Sequence, residues 1–283
     1  MTHFIAWPGN KRKELPQILE LVPGIFQAYD TFIEPFAGSA AISHAAWRHR
    51  GDTARYVLGD TDPWLVGWVQ QILAPGKLEA AYAFMRRFLT PHGFEGIMRA
   101  HKELVEPPGS EVNTRSLALW AYRANVKDFN AAGRQPNKWP LLRPSKAQIA
   151  AQAFYALADV RLSDWLATAE EHLQDPKAII VLDPPYITSW NAGYYGDKGA
   201  ICDDGSMMDP TAIYVTIKAL ADRPDRRAAM LLVSNAPAIL VDYLQPSFPI
   251  SCQYPKAYGA CVKRNGVYVR KGTTHIAMYA PAR

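Results

Sequence analysis

Residues 177–186 read KAIIVLDPPY. Five apolar residues in a row, three of them β-branched, bounded by a charge on one side and prolines on the other, are too short for a buried helix and fit a strand buried on both faces. Neither Pro184 nor Pro185 has an N–H to donate to a ladder, so the chain must leave the sheet at Asp183. The quartet DPPY therefore stands at the carboxyl end of a strand, where open α/β sheets bind their ligands.

The same rhythm recurs on both sides of this stretch. YDTFIEPFAGSAAISHAAW (29–47) joins a short apolar run to a Gly-containing turn and an alanine-rich stretch, and RYVLGDTD (55–62) ends in acidic residues before the amphipathic WLVGWVQQIL. AAMLLVSNAP (228–237) is a fourth apolar run with a polar exit. Strands alternating with helices imply a mostly parallel sheet. Near the end, CVKRNGVYVRKGTTHIAMYA (261–280) places Asn265-Gly266 between alternating residues, which predicts antiparallel strands closing that sheet. Residues 74–159 lack the rhythm; they are Pro-punctuated, helix-leaning and basic, and are expected to form an inserted lobe between the halves of a domain made of 1–73 and 160–283.

With 283 residues and 49% apolar content, the chain is long enough to bury a full core. No stretch approaches the roughly 20 apolar residues of a membrane span, and the start, MTHFIAWPGNKR, lacks a secretory pattern, so a cytoplasmic protein is expected. Cys202, Cys252 and Cys261 show neither disulfide nor zinc-ligand spacing, and no metal is expected. The net charge of +5 is unevenly spread. Residues 84–148 hold eleven basic against five acidic residues and 222–283 nine against three, while 149–221 hold four against ten. Two basic zones suit a polyanion partner, although solvated faces would give the same count.

Three constellations carry chemistry. In EPFAGSAAIS (34–43), Gly38 allows backbone to approach a ligand, although an ordinary strand-to-helix turn fits as well. Asp60, 22 residues further on at the end of the second strand, is placed to bind both hydroxyls of a ribose, or to cap a helix. Together they suit a nucleoside cofactor. In DPPY, the prolines fix the Pro184 carbonyl as an outward acceptor beside the Asp183 carboxylate. The pair can receive both hydrogens of an exocyclic amine while Tyr186 offers a face for stacking. A polar-Pro-Pro-aromatic quartet arises by chance in roughly one chain of this length per hundred, which disfavours a mere proline-rich exit.

On these residues the chain resembles the Dam-type, S-adenosylmethionine-dependent DNA adenine N-6 methyltransferases. AWPGNK (6–11) looks like the family's W-x-G-x-K motif, EPFAGS like its glycine loop, LGDTD like its ribose-binding strand end and LSDW (162–165) like its adenine-binding element. DPPY looks like the catalytic motif and LLVSN (231–235) like a later strand. The resemblance implies a Rossmann-like methyltransferase sheet, mostly parallel with an antiparallel closing strand, carrying an inserted, mainly helical target-recognition lobe. It implies catalysis by Asp183, Pro184, Pro185 and Tyr186 on an adenine flipped out of double-stranded DNA. Trp7 and Lys11 would contact the methionine end of the cofactor, Pro35, Phe36, Ala37 and Gly38 would pass beneath it, Asp60 would take the ribose, and Asp164 and Trp165 would hold the adenine, with Asp183 nearby.

In the lobe, WAYRANVKDFNAAGRQPNKWP (120–140) resembles the family's R-x-N…F-N…G segment. Arg123, Asn125 and Asn130 would read base edges and Arg134 and Lys138 would meet phosphates, with caps or turns as the structural alternative for the asparagines. The Gly- and Asp-rich 187–210, with Tyr194 and Tyr195, is expected to cover the pocket. The departures are Ala40 where the family has a second glycine, Asn10 where a small residue is common, and a recognition segment one residue short. A monomer is expected, with room for a restriction endonuclease counterpart. The competing readings are methylation of cytosine N-4 or of adenine in RNA, and a catalytically silent nucleic-acid-binding or structural protein.

Overall fold

A computed structural model describes residues 11–73, 76, 78–79, 83, 146–185, 210–235, 237–264 and 267–283. The expected lobe thus lies mostly outside the described residues, as do Trp7, Tyr186, the loop 187–209 and the recognition residues Arg123, Asn125, Asn130, Arg134 and Lys138. Seven strands form one mixed sheet in the order β3-β2-β1-β4-β5-β7-β6. The chain divides into two compact units, Met1–Lys11 with Ala37–Thr168 and Arg12–Phe36 with Ala169–Arg283. Among the described residues no helix is long and apolar enough to cross a membrane.

In the first unit, β2 (Arg55–Asp60) and β3 (Asp159–Leu162) run parallel, from Val57 opposite Asp159 to Asp60 opposite Leu162. Among its described residues the helices include α3 (Ala41–Arg50), α4 (Pro63–Ile72) and α5 (Lys146–Leu157). Helix α3 ends where Gly51 takes φ +59°, and Arg48, His49 and Arg50 in its last turn oppose the negative end of the helix dipole. Phe154 of α5 is fully buried, with its ring 5.3 Å from His44, 5.9 Å from Trp47 and 5.5 Å from Tyr56. Aromatic packing of this kind docks the last helix of the expected lobe onto β2 and α3. Strand β3 carries little signal of its own: only Val160 and Leu162 of DVRL are apolar, and it exists as a partner for β2 rather than through its own pattern.

In the second unit, α1 (Leu15–Leu21) and α2 (Ile25–Ala28) precede β1 (Thr31–Glu34). The central strands β1, β4 (Ala178–Leu182) and β5 (Ala229–Ser234) are parallel, with Phe32 opposite Ile179 and Val181 opposite Leu231. Every residue of these three strands is buried, the signature of a sheet covered on both faces. Helices α6 (Trp165–Glu171), α7 (Pro210–Asp222) and α8 (Ala238–Leu244) alternate with them. Then β6 (Ile250–Arg264) and β7 (Val267–Ala280) form the antiparallel end, with β7 against β5. Arg226, almost wholly buried, donates to the carbonyls of Ala221, Ala228 and Pro281 and so ties the end of α7 to the entry of β5 and the exit of β7.

His44 is half-buried, stacked on Trp47 with ring centroids 5.6 Å apart. Burial first, then the positive charge of Arg48, holds its pKa below the ordinary 6.5. A histidine with a lowered folded pKa is neutral where the unfolded chain is already protonated. Its contribution is therefore intact above pH 6.5 and shrinks, by up to about 1.4 kcal/mol per pH unit, as pH falls toward the folded value. Urea midpoints measured across that range should fall more steeply for the native chain than for His44→Gln.

Candidate active site

The exit of β1 is EPFAGSA. Glu34 and Pro35 are buried, Phe36 to Ser39 are half-exposed, and Ala40 starts α3. The turn is held by its backbone: Ala37 N–H donates to the Gly59 carbonyl at 2.9 Å, and Tyr155 hydroxyl donates to the Ser39 carbonyl at 3.1 Å. Gly38 has φ +49°, the left-handed region, and Ala40 repeats it at φ +47°, ψ 43°. A side chain in that region costs on the order of 1 kcal/mol, so at Ala40 the backbone keeps a conformation that favours glycine while carrying a methyl group.

Asp60 closes this loop. Its Oδ2 accepts from Gly38 N–H at 2.9 Å and its Oδ1 from Asp62 N–H at 2.9 Å, while its carbonyl accepts from Ser163 N–H at 3.1 Å. The helix-capping alternative falls to a neighbour, since Asp62 Oδ1 accepts from Leu65 N–H at the start of α4. These two backbone bonds fix the direction in which the Asp60 carboxylate points. A carboxylate aimed at the end of a strand has the acceptor chemistry to meet the hydroxyls of a ribose.

The neighbouring element LSDW turns out to be a helix start. Asp164 Oδ1 accepts from Leu166 and Ala167 N–H at 2.9 and 3.1 Å, and Trp165 is 7% exposed. Ser163 and Thr168 hydroxyls meet at 2.8 Å directly above Gly59. A Cβ on Gly59 would lie 2.8 Å from Ser163 Oγ and 3.0 Å from Thr168 Oγ1, so the glycine of LGD makes room for LSDW beside it. That requirement was visible in the sequence only as an unexplained glycine inside a strand.

In the second unit, Asp183 follows β4 directly and is half-buried, with Pro184 and Pro185 buried behind it. Ser234 ends the adjacent β5 and is hydrogen-bonded to the hydroxyl of Tyr214 on α7. Tyr254 on β6 donates its hydroxyl to Glu14 Oε2 at 3.2 Å, and the wholly buried His275, opposite it on β7, has Nδ1 3.9 Å from Glu14 Oε1. Burial raises the pKa of Tyr214 and Tyr254 well above the ordinary tyrosine range, with a smaller push from the negative charge of Asp183 at both. Glu14 contributes further at Tyr254. Both phenols stay protonated, and the DPPY exit is backed by neutral hydroxyls. The Glu14–Tyr254–His275 group escaped sequence reading because its members lie far apart in the chain. Lys11 is buried in a 3-10 turn, Lys11–Lys13, at 4% exposure.

Gly59→Ala should push Ser163 and Thr168 off β2, cost about 1–3 kcal/mol in denaturant unfolding and weaken cofactor binding measured by calorimetry, because Asp60 is the next residue. Unaltered stability would contradict the close approach.

Residues 7–104 match the family model of D12 class N6 adenine-specific DNA methyltransferases. Among solved structures, the rRNA methyltransferase aviRa from Streptomyces viridochromogenes aligns over 95% of this chain and 82% of its own, with 14% identity and a TM-score of 0.35. The family-model match spans residues that include the EPFAGS loop and Asp60 and stops short of DPPY.

Proposed function

We propose that this chain transfers a methyl group from S-adenosylmethionine to the exocyclic N6 amine of an adenine flipped out of double-stranded DNA. The observation that carries the reading is Asp183 at the carboxyl end of a fully buried strand, half-exposed, with two buried prolines fixing the backbone that follows. The family match at 7–104 favours adenine over cytosine.

Each group has a task that follows from its chemistry. When bound, S-adenosylmethionine supplies a methyl group already activated on a sulfonium. The Asp60 carboxylate, aimed by Gly38 and Asp62 N–H, would take the ribose hydroxyls. Pro35 to Gly38 would line the cofactor's path, with Lys11 and Trp7 toward its amino-acid end and Asp164 and Trp165 toward its base. Asp183 and the Pro184 carbonyl would accept both N–H groups of the target amine. Its nitrogen is a poor nucleophile because the lone pair is conjugated into the ring; two acceptors favour the pyramidal form and free that pair. Catalysis is then a matter of position and charge complementarity: the N–C bond forms as the S–C bond breaks, S-adenosylhomocysteine leaves, and the extra proton on the methylated nitrogen passes to solvent, so no strong general base is needed. Tyr186 would stack on the extruded base, whose unstacking costs a few kcal/mol. Arg123, Asn125 and Asn130 would select the sequence, and Arg134 and Lys138 would hold phosphates.

Asp183→Ala should lower methyl transfer to duplex DNA by about 100-fold or more while calorimetric binding of S-adenosylmethionine persists. Near-native turnover in that variant would remove the mechanism.

A further inference from the structure

The hairpin of β6 and β7 is far longer than the sheet needs. Strand β5 has six residues, and β7 pairs with it only from Ile276, opposite Ser234, to Ala280, opposite Met230. The pairing of β6 with β7 continues without β5 from Tyr254 opposite His275 to Arg264 opposite Val267. Because β7 is antiparallel to β5, this extra length runs outward past Ser234, the carboxyl end of β5. Asp183 leaves the neighbouring strand at the same edge, since Leu182 pairs with Leu232 and Leu232 with Met278. The nine residues of β6 from 256 to 264 carry the ribbon roughly 30 Å beyond the sheet.

The composition of the extension is one-sided. Residues 256–273 contain Lys256, Lys263, Arg264, Arg270 and Lys271 and no acidic residue; from 243 to 283 the chain has no Asp or Glu at all. The register sets Lys263 opposite Tyr268, Cys261 opposite Arg270 and Arg264 opposite Val267, so cations occupy successive as well as alternate positions of the ribbon. Between the pairs Ala257–Gly272 and Cys261–Arg270 the register shifts, with three residues of β6 facing one of β7. An irregularity of this kind bends and twists a ribbon. A hairpin that served only to close the sheet would gain nothing from nine further residues of strand in a stretch bearing five basic residues.

We infer that the extension of the β6–β7 hairpin, residues 256–273, is a duplex-DNA-binding arm that lies in the major groove beside the target base. The inference rests on the proposed reading that the substrate is a nucleic-acid duplex, and it narrows that substrate to the B form. The major groove of B-DNA, about 12 Å wide, admits a two-stranded ribbon with phosphates along both rims; the deep, narrow major groove of A-form RNA does not. This basic zone is separate in sequence from Arg123 to Lys138, so the two would grip the duplex independently.

The test uses the full chain and a fluorescein-labelled DNA duplex of mixed sequence, with an RNA duplex of the same sequence beside it, followed by anisotropy between about 50 and 200 mM salt. The combined variant Lys263→Ala, Arg264→Ala, Arg270→Ala and Lys271→Ala should bind DNA at least about 10-fold more weakly, with a log–log salt slope shallower by about 0.9 for each phosphate no longer neutralised. The charge-preserving exchange Lys263→Arg, Arg264→Lys, Arg270→Lys and Lys271→Arg should keep the native slope, and heats of S-adenosylmethionine binding should be alike in all three proteins. An unchanged slope in the alanine variant overturns the arm while leaving the proposed reaction standing. An equal loss on the RNA duplex overturns its fit to the B-form groove. If the native chain binds no S-adenosylmethionine, the functional reading fails, and the slopes still decide the arm.

Discussion

The hydrogen bond from Gly38 N–H to the Asp60 carboxylate joins the loop that follows β1 to the end of β2. The rest of the proposed cofactor site depends on it. Without Asp60 as acceptor, the N–H groups of Gly38 and Asp62 would lose their partner and the left-handed turn through Gly38 and Ala40 would lose its fixed point. The same carboxylate is the group proposed to meet the ribose, so the loop's structure and the proposed binding depend on one side chain. Gly59, immediately before it, is kept free of a side chain by Ser163 and Thr168. Loop, strand and the helix start at Asp164 thereby form one hydrogen-bonded assembly within the first unit.

The end of β4, the proposed reacting side, is organised differently. There the chain relies on rigidity and burial: strands of unbroken apolar residues deliver Asp183 and Ser234 to adjacent ends, and a proline pair replaces flexible backbone. Behind them, the hydroxyls of Tyr214 and Tyr254 remain protonated beside a carboxylate. A carboxylate that only accepts hydrogen bonds from an amine needs no proton of its own. This arrangement matches a reaction whose donor arrives activated and whose acceptor must be shaped rather than deprotonated.

Much of this was legible in the sequence because its signals are local. Continuous apolar runs at 179–182 and 229–233 fit strands buried on two faces, and DPPY marks its own strand end. Asn265-Gly266 between alternating residues announced the hairpin, though its length past β5 follows only from register. What stayed hidden is what depends on distant partners. DVRL is a strand only because β2 lies beside it, and Asp62 rather than Asp60 caps α4 because the backbone bends there. The strain at Ala40 needed a φ angle to be seen. Glu14, Tyr254 and His275 meet although Glu14 lies near one end of the chain and the other two near the opposite end, with Pro255 breaking the pattern beside Tyr254.

The proposed reading names one product, an adenine methylated at N6 in duplex DNA. The direct measurement is transfer of tritiated methyl from S-adenosylmethionine by the full chain to duplex DNA and, in parallel, to duplex RNA, followed by enzymatic digestion and separation of the nucleosides. The account predicts label in N6-methyldeoxyadenosine; label confined to N4-methyldeoxycytidine, or incorporated only into RNA, would contradict it.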